Sequence, residues 1–153
     1  MKVFIENETG SKIKNIYNEE TLEFIKQKEV SAAYPFPYGF VLNTKAEDGD
    51  NVDCFVLTHK KLNTGDVVEC EPIALMEQFE SSWNPAKYGE MEKDHNVLAV
   101  LEGEMFELNE EIKELLNSFS LKIFSHIEGK VVEPGKFLDK KAAAEYLKDT
   151  TEF

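Results

Sequence analysis

Arginine is absent from this sequence, because all 17 basic residues are lysines. They stand against 30 acidic residues, which leaves a formal net charge of −13. A chain this acidic should repel nucleic acid and anionic membrane surfaces, so we expect neither as a partner. Arginine is the side chain that best holds a phosphate at two points. An anion site in this chain must therefore use lysines, or metal ions that link carboxylates to the anion.

Long apolar runs and a disulfide framework are absent as well. No apolar stretch approaches the roughly 18–20 residues that a membrane helix needs. An acid at Glu6 interrupts the N-terminal segment too early for a secretory signal. The two cysteines, Cys54 and Cys70, lie in apolar strand-like segments, which favours reduced core thiols over a bridge. We therefore expect a cytoplasmic protein.

The length of the chain fits one domain that spans residues 1–153. Short segments of strand-forming residues, separated by turn residues, predict a series of strands. They cover residues 3–6, 12–17, 21–26, 40–43, 52–58, 67–79 and 97–101. Two further short strands are predicted at 122–126 and 130–132, and a polar insert occupies 81–94.

The C-terminal third has a helical period. Asn109 or a neighbour caps a first helix, whose apolar residues recur on one face. These residues are Ile112, Leu115, Leu116 and Phe119. Asp139 caps a second helix, whose Ala143, Tyr146 and Leu147 would face the core. Strands followed by two helices predict an α+β fold, a small barrel with helices on one side.

Residues 43–60, NTKAEDGDNVDCFVLTHK, place three aspartates within six positions. One interpretation is a turn with solvated acids, since Asp48-Gly49 is a common hairpin signal. An EF-hand calcium loop does not fit, because the sixth loop position lacks glycine and the flank is strand-like. A metal site for Mg²⁺ or Mn²⁺ is the third interpretation, since a cluster of carboxylates suits hard cations.

Asp53 favours the metal site, because it lies inside the strand-like run and not in the turn. On a strand it shares a face with Phe55 and Leu57, opposite Cys54 and Val56. If both faces are covered, Asp53 carries a buried charge. Such a charge is costly unless a cation or hydrogen bonds satisfy it.

Three short motifs surround this segment in a fixed order. They are Tyr34-Pro35, Tyr38-Gly39 and Asp48-Gly49-Asp50-Asn51-Val52-Asp53. In order and spacing they resemble the hallmark of the family I soluble inorganic pyrophosphatases. The later segments GDVVECEPIALMEQFE and DHNVLAV resemble further motifs of that family, and a weaker likeness runs from Val3 to Leu147. The resemblance implies an OB-like five-stranded β-barrel with additional short strands and two C-terminal helices packed outside.

The resemblance also implies roles for individual residues. Asp48, Asp53 and Asp94 would bind the first metal ion, and Asp50 would be the general base for an attacking water. The remaining implied residues are a further metal ligand, Glu80, a supporting acid, Glu6, and the substrate contacts Lys14, Lys26, Tyr34 and Tyr38. The implied cofactor is Mg²⁺, with Mn²⁺ as an alternative, and the implied substrate is pyrophosphate. Assembly as a homo-oligomer is also implied.

The sequence departs from the family pattern mainly where phosphate would bind. Lys26 replaces an arginine, Ile16 replaces a metal-binding glutamate, and Asn96 replaces a lysine. A late tyrosine–lysine pair aligns loosely with Phe119 and Ser120. Each charge-assisted phosphate contact contributes about 1.5–3 kcal/mol, so these losses should weaken turnover unless other residues compensate.

The predicted function is therefore Mg²⁺-dependent hydrolysis of inorganic pyrophosphate. One alternative is a weakened homologue that binds metal and a phosphate ligand, and another is a hydrolase of a different phosphoanhydride. An oligonucleotide-binding barrel is disfavoured by the net charge and the missing basic stripe. An unaligned lysine such as Lys122 could replace a lost phosphate contact. Trp83 and Tyr88 in the insert could form a lid or a surface loop.

Overall fold

The computed structural model describes residues 1–152. Within that range the chain forms nine strands, two α-helices and a short 3-10 helix at Pro85–Lys87. The strands are β1 (Lys2–Asn7), β2 (Ile13–Tyr17), β3 (Phe24–Glu29), β4 (Tyr38–Val41), β5 (Asp53–Val56), β6 (Val67–Ser81), β7 (Met91–Lys93), β8 (Asn96–Leu101) and β9 (Val132–Leu138). The helices are α1 (Glu110–Lys122) and α2 (Lys140–Thr150).

Five strands close into a ring in the order β1-β4-β5-β8-β6, and β6 pairs back onto β1. Neighbours in the ring run antiparallel except β5 and β8, which run parallel. The ring confirms the predicted five-stranded barrel of an α+β fold. The additional strands lie outside it, where β7 and β9 pair with β6, and β2 and β3 form a hairpin of their own.

The two faces of the chain around β5 enter two different apolar clusters, as the alternation of side chains predicts. One face joins a cluster drawn from all five ring strands, to which it contributes Val52, Cys54 and Val56. The other face joins a cluster that includes the buried side of α1, to which it contributes Phe55 and Leu57. Asp53 begins β5 on this second face, so its carboxyl points away from the barrel interior.

Both C-terminal helices are present with the predicted caps. The side chains of Asn109 and Asp139 accept hydrogen bonds from backbone amides three residues further on, at 2.9 and 3.0 Å. In α2, Ala143 is fully buried, as predicted. In α1, Leu115 is 45% exposed, so its predicted core position is wrong. The apolar stripe that α1 packs against the core is narrower than predicted and consists of Ile112, Leu116 and Phe119.

The strand predicted at 122–126 is wrong, because α1 continues to Lys122 and turns follow it. The strand predicted at 130–132 overlaps β9 only at Val132, where β9 begins, so its bounds are wrong. Pro134 is tolerated in β9 because it lies where the register with β6 shifts. At such an irregularity a proline does not remove a needed ladder hydrogen bond.

Two other strands differ from their predicted bounds, because a residue beside each of them adopts the left-handed conformation. Leu22 has a φ of 61°, which lengthens the turn after β2. The strand predicted at 21–26 therefore begins at Phe24, as β3. Asn43 also has a φ of 61°, and the strand predicted at 40–43 ends before it, as β4.

The thiols of Cys54 and Cys70 are both free and buried, which confirms the prediction of core thiols. Burial raises the pKa of each thiol, to about 12 for Cys70. Such thiols stay protonated and are poor nucleophiles. Among the described residues, no helix is long and apolar enough to cross a membrane.

Candidate active site

A pocket of about 800 Å³ is lined by residues of the ring, of the β2–β3 hairpin and of the end of α1. Nine of the ten predicted site residues line it, namely Glu6, Lys14, Tyr34, Tyr38, Asp48, Asp50, Asp53, Glu80 and Asp94. Lys26 is the exception, since it lies exposed on β3 opposite Ile16 of β2. The structure thus brings the acids and most of the predicted substrate contacts into one cavity.

The parallel pairing of β5 with β8 positions the central acids. Asp53 pairs with Asn96 in this register, so Asp94, two residues earlier, reaches the same end of the ring. The carboxyl groups of Asp53 and Asp94 lie within hydrogen-bonding distance of each other. Asp94 is within the same distance of Glu80, which comes from the end of β6. Asp53 of β5, Glu80 of β6 and Asp94 of the β7–β8 connection therefore form a chain of contacts with Asp94 in the middle.

The turn before β5 carries the other two aspartates. Gly49 adopts a φ of 90°, a conformation that glycine reaches without strain. The backbone amide of Asp50 donates to Oδ1 of Asp48 at 3.0 Å, and the amide of Ala46 donates to the carbonyl of Asp50 at 2.7 Å. Among the described residues, the Asp50 carboxylate accepts no hydrogen bond, so it is free to accept one from a ligand.

Burial raises the pKa of the carboxyl groups around the pocket. Desolvation is the largest cause throughout, and neighbouring carboxylates add to it. It raises the pKa of Asp53 to about 8. The pKa of Asp94 rises well above its usual range, through burial and then through Asp53. The pKa of Glu6 and that of Glu80 rise to about 7, and the pKa of Asp48 rises to about 6.

The donor set suits a hard divalent cation. Across residues 1–152, no group of three or more Asp, Glu, His or Cys side chains is placed closely enough to hold a metal ion as it stands, although Asp94 contacts both Asp53 and Glu80. Three buried polar atoms of the pocket lack a hydrogen-bond partner within this range, on Tyr34, Gln78 and Asn96. Carboxylate oxygens fit Mg²⁺ or Mn²⁺, whereas zinc sites are built mainly on cysteine and histidine. A bound cation would also relieve the crowding of negative charge.

Lys14 extends from β2 toward the tyrosines of the pocket. Its ammonium lies 5.8 Å from the ring centre of Tyr38 and 5.6 Å from that of Phe124. The rings of Tyr34 and Tyr38 pack with centroids 5.3 Å apart. Burial lowers the pKa of Lys14 and is the largest single effect, but Tyr34, Glu6, Asp53 and Asp94 together raise the pKa above its ordinary value, so the side chain stays charged.

The sequence model of the inorganic pyrophosphatase family matches residues 3–153 of the chain. The chain belongs to the inorganic pyrophosphatase family. A pyrophosphatase of Sulfolobus acidocaldarius is 31% identical over 141 residues, which cover 90% of this chain and 78% of the relative. One of Nanoarchaeum equitans is 32% identical over 146 residues, which cover 90% and 83%.

Solved structures of inorganic pyrophosphatases share the fold. The enzyme from Thermus thermophilus superimposes with a TM-score of 0.82 at 26% identity, over 98% of this chain and 88% of that one. The enzyme from Neisseria gonorrhoeae gives a TM-score of 0.84 at 20% identity, over the same shares of 98% and 88%. These likenesses confirm the α+β barrel, and inorganic pyrophosphatases are generally metal-dependent enzymes.

Apart from Lys26, which does not line the pocket, the departures from the inorganic pyrophosphatase pattern lie inside it. The residues concerned are Ile16, Asn96, Phe119 and Ser120, and all of them line it. These four changes therefore fall in the cavity that holds the predicted site residues. Lys122 lies exposed at the end of α1 and is not part of the lining. The structure gives this lysine no role at the site.

Glu19 is a pocket acid that the sequence analysis missed. Its carboxylate accepts a hydrogen bond from the amide of Asn51 at 2.9 Å, and burial raises its pKa to about 7. It lines the same pocket as Ile16, where the pyrophosphatase pattern has a glutamate. The available signal was the pair Glu19-Glu20 in the turn that follows β2.

Trp83 brings the polar insert into the wall of the pocket. The insert contains the 3-10 helix and β7, an unpredicted strand that pairs with β6. Nε1 of Trp83 donates to Oε1 of Glu80 at 3.1 Å. The ammonium of Lys130 donates to the same oxygen at 3.2 Å and lies 3.6 Å from the centre of the indole ring. Tyr88, in contrast, is 90% exposed.

The raised pKa values predict that the metal-free protein loses stability as pH rises. An aspartate in the unfolded chain titrates near 4, whereas folded Asp53 titrates at about 8. Between these values the folded state binds more protons than the unfolded state, so the free energy of unfolding falls with increasing pH. Chelator-treated protein should therefore melt several degrees lower at about pH 8 than at about pH 5.

Scanning calorimetry with EDTA, with and without excess Mg²⁺, measures this effect. Mg²⁺ should raise the melting temperature at the higher pH and have little effect at the lower one, because it binds deprotonated carboxylates. The Asp53→Asn variant is the control, since it should lose part of the pH dependence. A melting temperature that stays constant over this window in EDTA would contradict the prediction.

Proposed function

We propose that this chain hydrolyses inorganic pyrophosphate to two phosphates and uses Mg²⁺ as its metal ion. The observation that carries the proposal is one pocket that joins the carboxylates of Asp48, Asp50, Asp53 and Asp94 to the ammonium of Lys14. Acids can hold cations on one side, while the lysine can attract phosphate on the other. Membership of the inorganic pyrophosphatase family supports the same reaction.

We assign the metal ion to Asp48, Asp53 and Asp94, with Glu80 as a further ligand. When bound, Mg²⁺ would lower the pKa of a coordinated water and offset charge on the phosphate oxygens. Carboxylate oxygens are the ligands that Mg²⁺ prefers, and Mn²⁺ accepts the same donors. Glu6 supports the site as a buried acid beside Lys14.

Asp50 is the proposed general base. Burial raises its pKa above the ordinary value, while Lys14 lowers it, and a base works best with a pKa nearer the working pH. Asp50 takes a proton from the attacking water as the water oxygen adds to one phosphorus. The bond from that phosphorus to the bridging oxygen then breaks, and the second phosphate leaves with the electron pair.

Lys14 and Tyr38, with Tyr34 beside them, are the proposed phosphate contacts. A charged lysine suits the anionic oxygens, and a phenol hydroxyl can donate a hydrogen bond to them. Lys26 of β3 pairs with Ile16 of β2, which lies two residues after Lys14. It therefore shares the face of Lys14 and would act from the rim of the pocket.

Phosphate release from pyrophosphate is expected to require an added divalent metal ion. Turnover should appear with Mg²⁺, appear with Mn²⁺ at a different rate, and vanish in excess EDTA. Restoring Mg²⁺ should restore the rate, because the carboxylates bind the ion reversibly. A colorimetric phosphate assay measures this, with protein-free metal solutions as the control. Release that persists in EDTA, or no release with either metal, would contradict the proposal.

A second candidate is a binding module, or a hydrolase of another phosphoanhydride. The observation that favours it is the uncharged residues at Ile16, Asn96 and Ser120, which line the pocket. Calorimetric titration with methylenediphosphonate distinguishes these functions. Tight binding without phosphate release from pyrophosphate would support the module. Release from a nucleoside triphosphate alone would support the other hydrolase.

Three broader expectations complete the proposal. We expect one domain over residues 1–153, a cytoplasmic location and a homo-oligomer. They rest on the resemblance of the sequence and on its composition. Sedimentation velocity on the purified chain measures the assembly directly, and a monomer at micromolar concentration would contradict the last of the three.

A further inference from the structure

Lys28 occupies a position that the family resemblance does not assign to the site. It lies on β3 directly opposite Lys14 of β2. Its ammonium is 4.7 Å from the ring centre of Trp83 and 5.6 Å from that of Phe124. The ammonium of Lys14 is also 5.6 Å from the Phe124 ring. Two lysines of neighbouring strands therefore converge on one aromatic wall of the pocket.

Neither lysine forms a salt bridge within the described residues. Among residues 1–152, no carboxylate lies within salt-bridge distance of Lys28 or Lys14. Lys130 differs from them, since its ammonium binds Glu80 at 3.2 Å and the carbonyl of Ser81 at 2.6 Å. Burial and then the neighbouring lysines, Lys14 first, lower the pKa of Lys28. The repulsion between two such cations would be relieved by an anion between them.

The aromatic wall holds the Lys28 side chain in place. Trp83 and Phe124 pack edge to face with centroids 5.2 Å apart. An ammonium over aromatic faces is attracted to them while its N–H groups remain able to donate. Because the stem of a lysine packs on apolar surface, little flexibility remains to be lost when a ligand binds. The cation is therefore oriented before an anion arrives.

We infer that Lys28 is a phosphate-binding residue of this pocket and acts in place of the arginine that the chain lacks. The inference rests on the proposed function for its natural ligand, pyrophosphate, although it requires only binding of a phosphate-type anion. Lys28 and Lys14 contact the anion from one side, and the metal-binding acids Asp53 and Asp94 lie in the same pocket. This arrangement supplies part of the positive charge missing at Asn96 and Ser120.

Trp83 provides a direct readout, because it is the only tryptophan in the sequence. Its indole contacts Lys28, so an anion that binds the ammonium should change the tryptophan fluorescence. Titration of the whole chain with methylenediphosphonate and, separately, with inorganic phosphate then gives dissociation constants without any turnover. Calorimetry on the same samples gives these constants independently of the fluorophore.

Lys28→Met is the decisive variant, since methionine keeps an unbranched side chain against the aromatic rings and removes the charge. The dissociation constant for methylenediphosphonate should rise roughly ten- to a hundredfold, as expected for loss of one charge-assisted contact. The KM for pyrophosphate should rise, while the dissociation constant for Mg²⁺ alone should stay near the parent value. Lys28→Arg should recover most of the anion affinity.

The matched control is Lys12→Met, which removes the same charge from the start of the same hairpin. Lys12 is exposed and does not line the pocket, so anion affinity should stay within about twofold of the parent. Parent-like anion affinity and KM in Lys28→Met would overturn the inference and leave the proposed function intact. Lys28-dependent binding without turnover in the parent would overturn the proposed function alone. If the parent protein binds neither anion, the inference is overturned together with the proposed function.

Discussion

Replacing Asp50 with asparagine is expected to lower the turnover of pyrophosphate by roughly 10²–10⁴-fold, the usual contribution of a general base. Asparagine keeps the size of the side chain but cannot accept the proton of an attacking water. The backbone amide of residue 50, which donates to Oδ1 of Asp48, is unchanged by the substitution. The turn should therefore keep its shape, and kcat should fall much more than the affinity for Mg²⁺.

Asp53→Asn should behave differently, because we assign Asp53 to the metal ion. Its loss should weaken Mg²⁺ binding and turnover together, and a higher metal concentration should recover part of the rate. Asp149→Asn is the control, since Asp149 is exposed on α2. Phosphate release and calorimetric Mg²⁺ titration separate the three variants. Full activity in Asp50→Asn would exclude Asp50 as the base and leave the metal assignment standing.

The acidic part of the site could be predicted because its geometry is local. Asp48 and Asp50 lie in a turn, and Asp53 lies at the start of the strand that follows it. A strand sends alternate side chains to opposite faces, so the face shared by Asp53 and Phe55 follows from the sequence alone. The position of Asp94 could not be predicted from local geometry, because the β5–β8 pairing joins segments that are distant in the sequence. For that step the family resemblance supplied what periodicity could not.

The cationic and aromatic part of the site could not be predicted in the same way. The ion pair of Lys130 with Glu80 joins residues 50 positions apart. Lys28 enters the pocket only because the β2–β3 hairpin packs beside Trp83 of the insert. No local sequence pattern distinguishes Lys28 or Lys130 from the other lysines of the chain, which has 17 in all. The sequence indicates the charges lost at Asn96 and Ser120 and suggests an unaligned lysine as a replacement, but it points to Lys122 and not to Lys28.

These observations change the balance of charge expected for the pocket. The sequence indicated a nearly complete set of metal ligands and a depleted phosphate side. In the structure Glu19 and Lys28 both line the pocket together with Lys14. Both additions come from the β2–β3 hairpin or its turn. We therefore propose that this hairpin is the element in which the chain compensates for its departures from the family pattern.

Replacing Gly39 with alanine is expected to destabilise the fold by at least about 3 kcal/mol, a large effect for one methyl group. Gly39 lies in β4, opposite Ile5 of β1 and Cys54 of β5. A Cβ at this position would lie 1.7 Å from the carbonyl oxygen of Phe4. That oxygen belongs to the backbone of β1, so relief requires the two strands to separate. Separation would open the ring next to Tyr38 and its pocket.

Urea unfolding followed by circular dichroism measures this loss, and a fall in soluble yield would accompany it. The control is Gly103→Ala, since Gly103 has a φ of 80° and no atom within 4 Å of an added Cβ. That variant should lose only about 1–2 kcal/mol, the cost of a left-handed alanine. A Gly39→Ala protein that unfolds at the same urea concentration as Gly103→Ala would show that β1 and β4 can separate cheaply. The close approach of these strands would then not be what requires glycine after Tyr38.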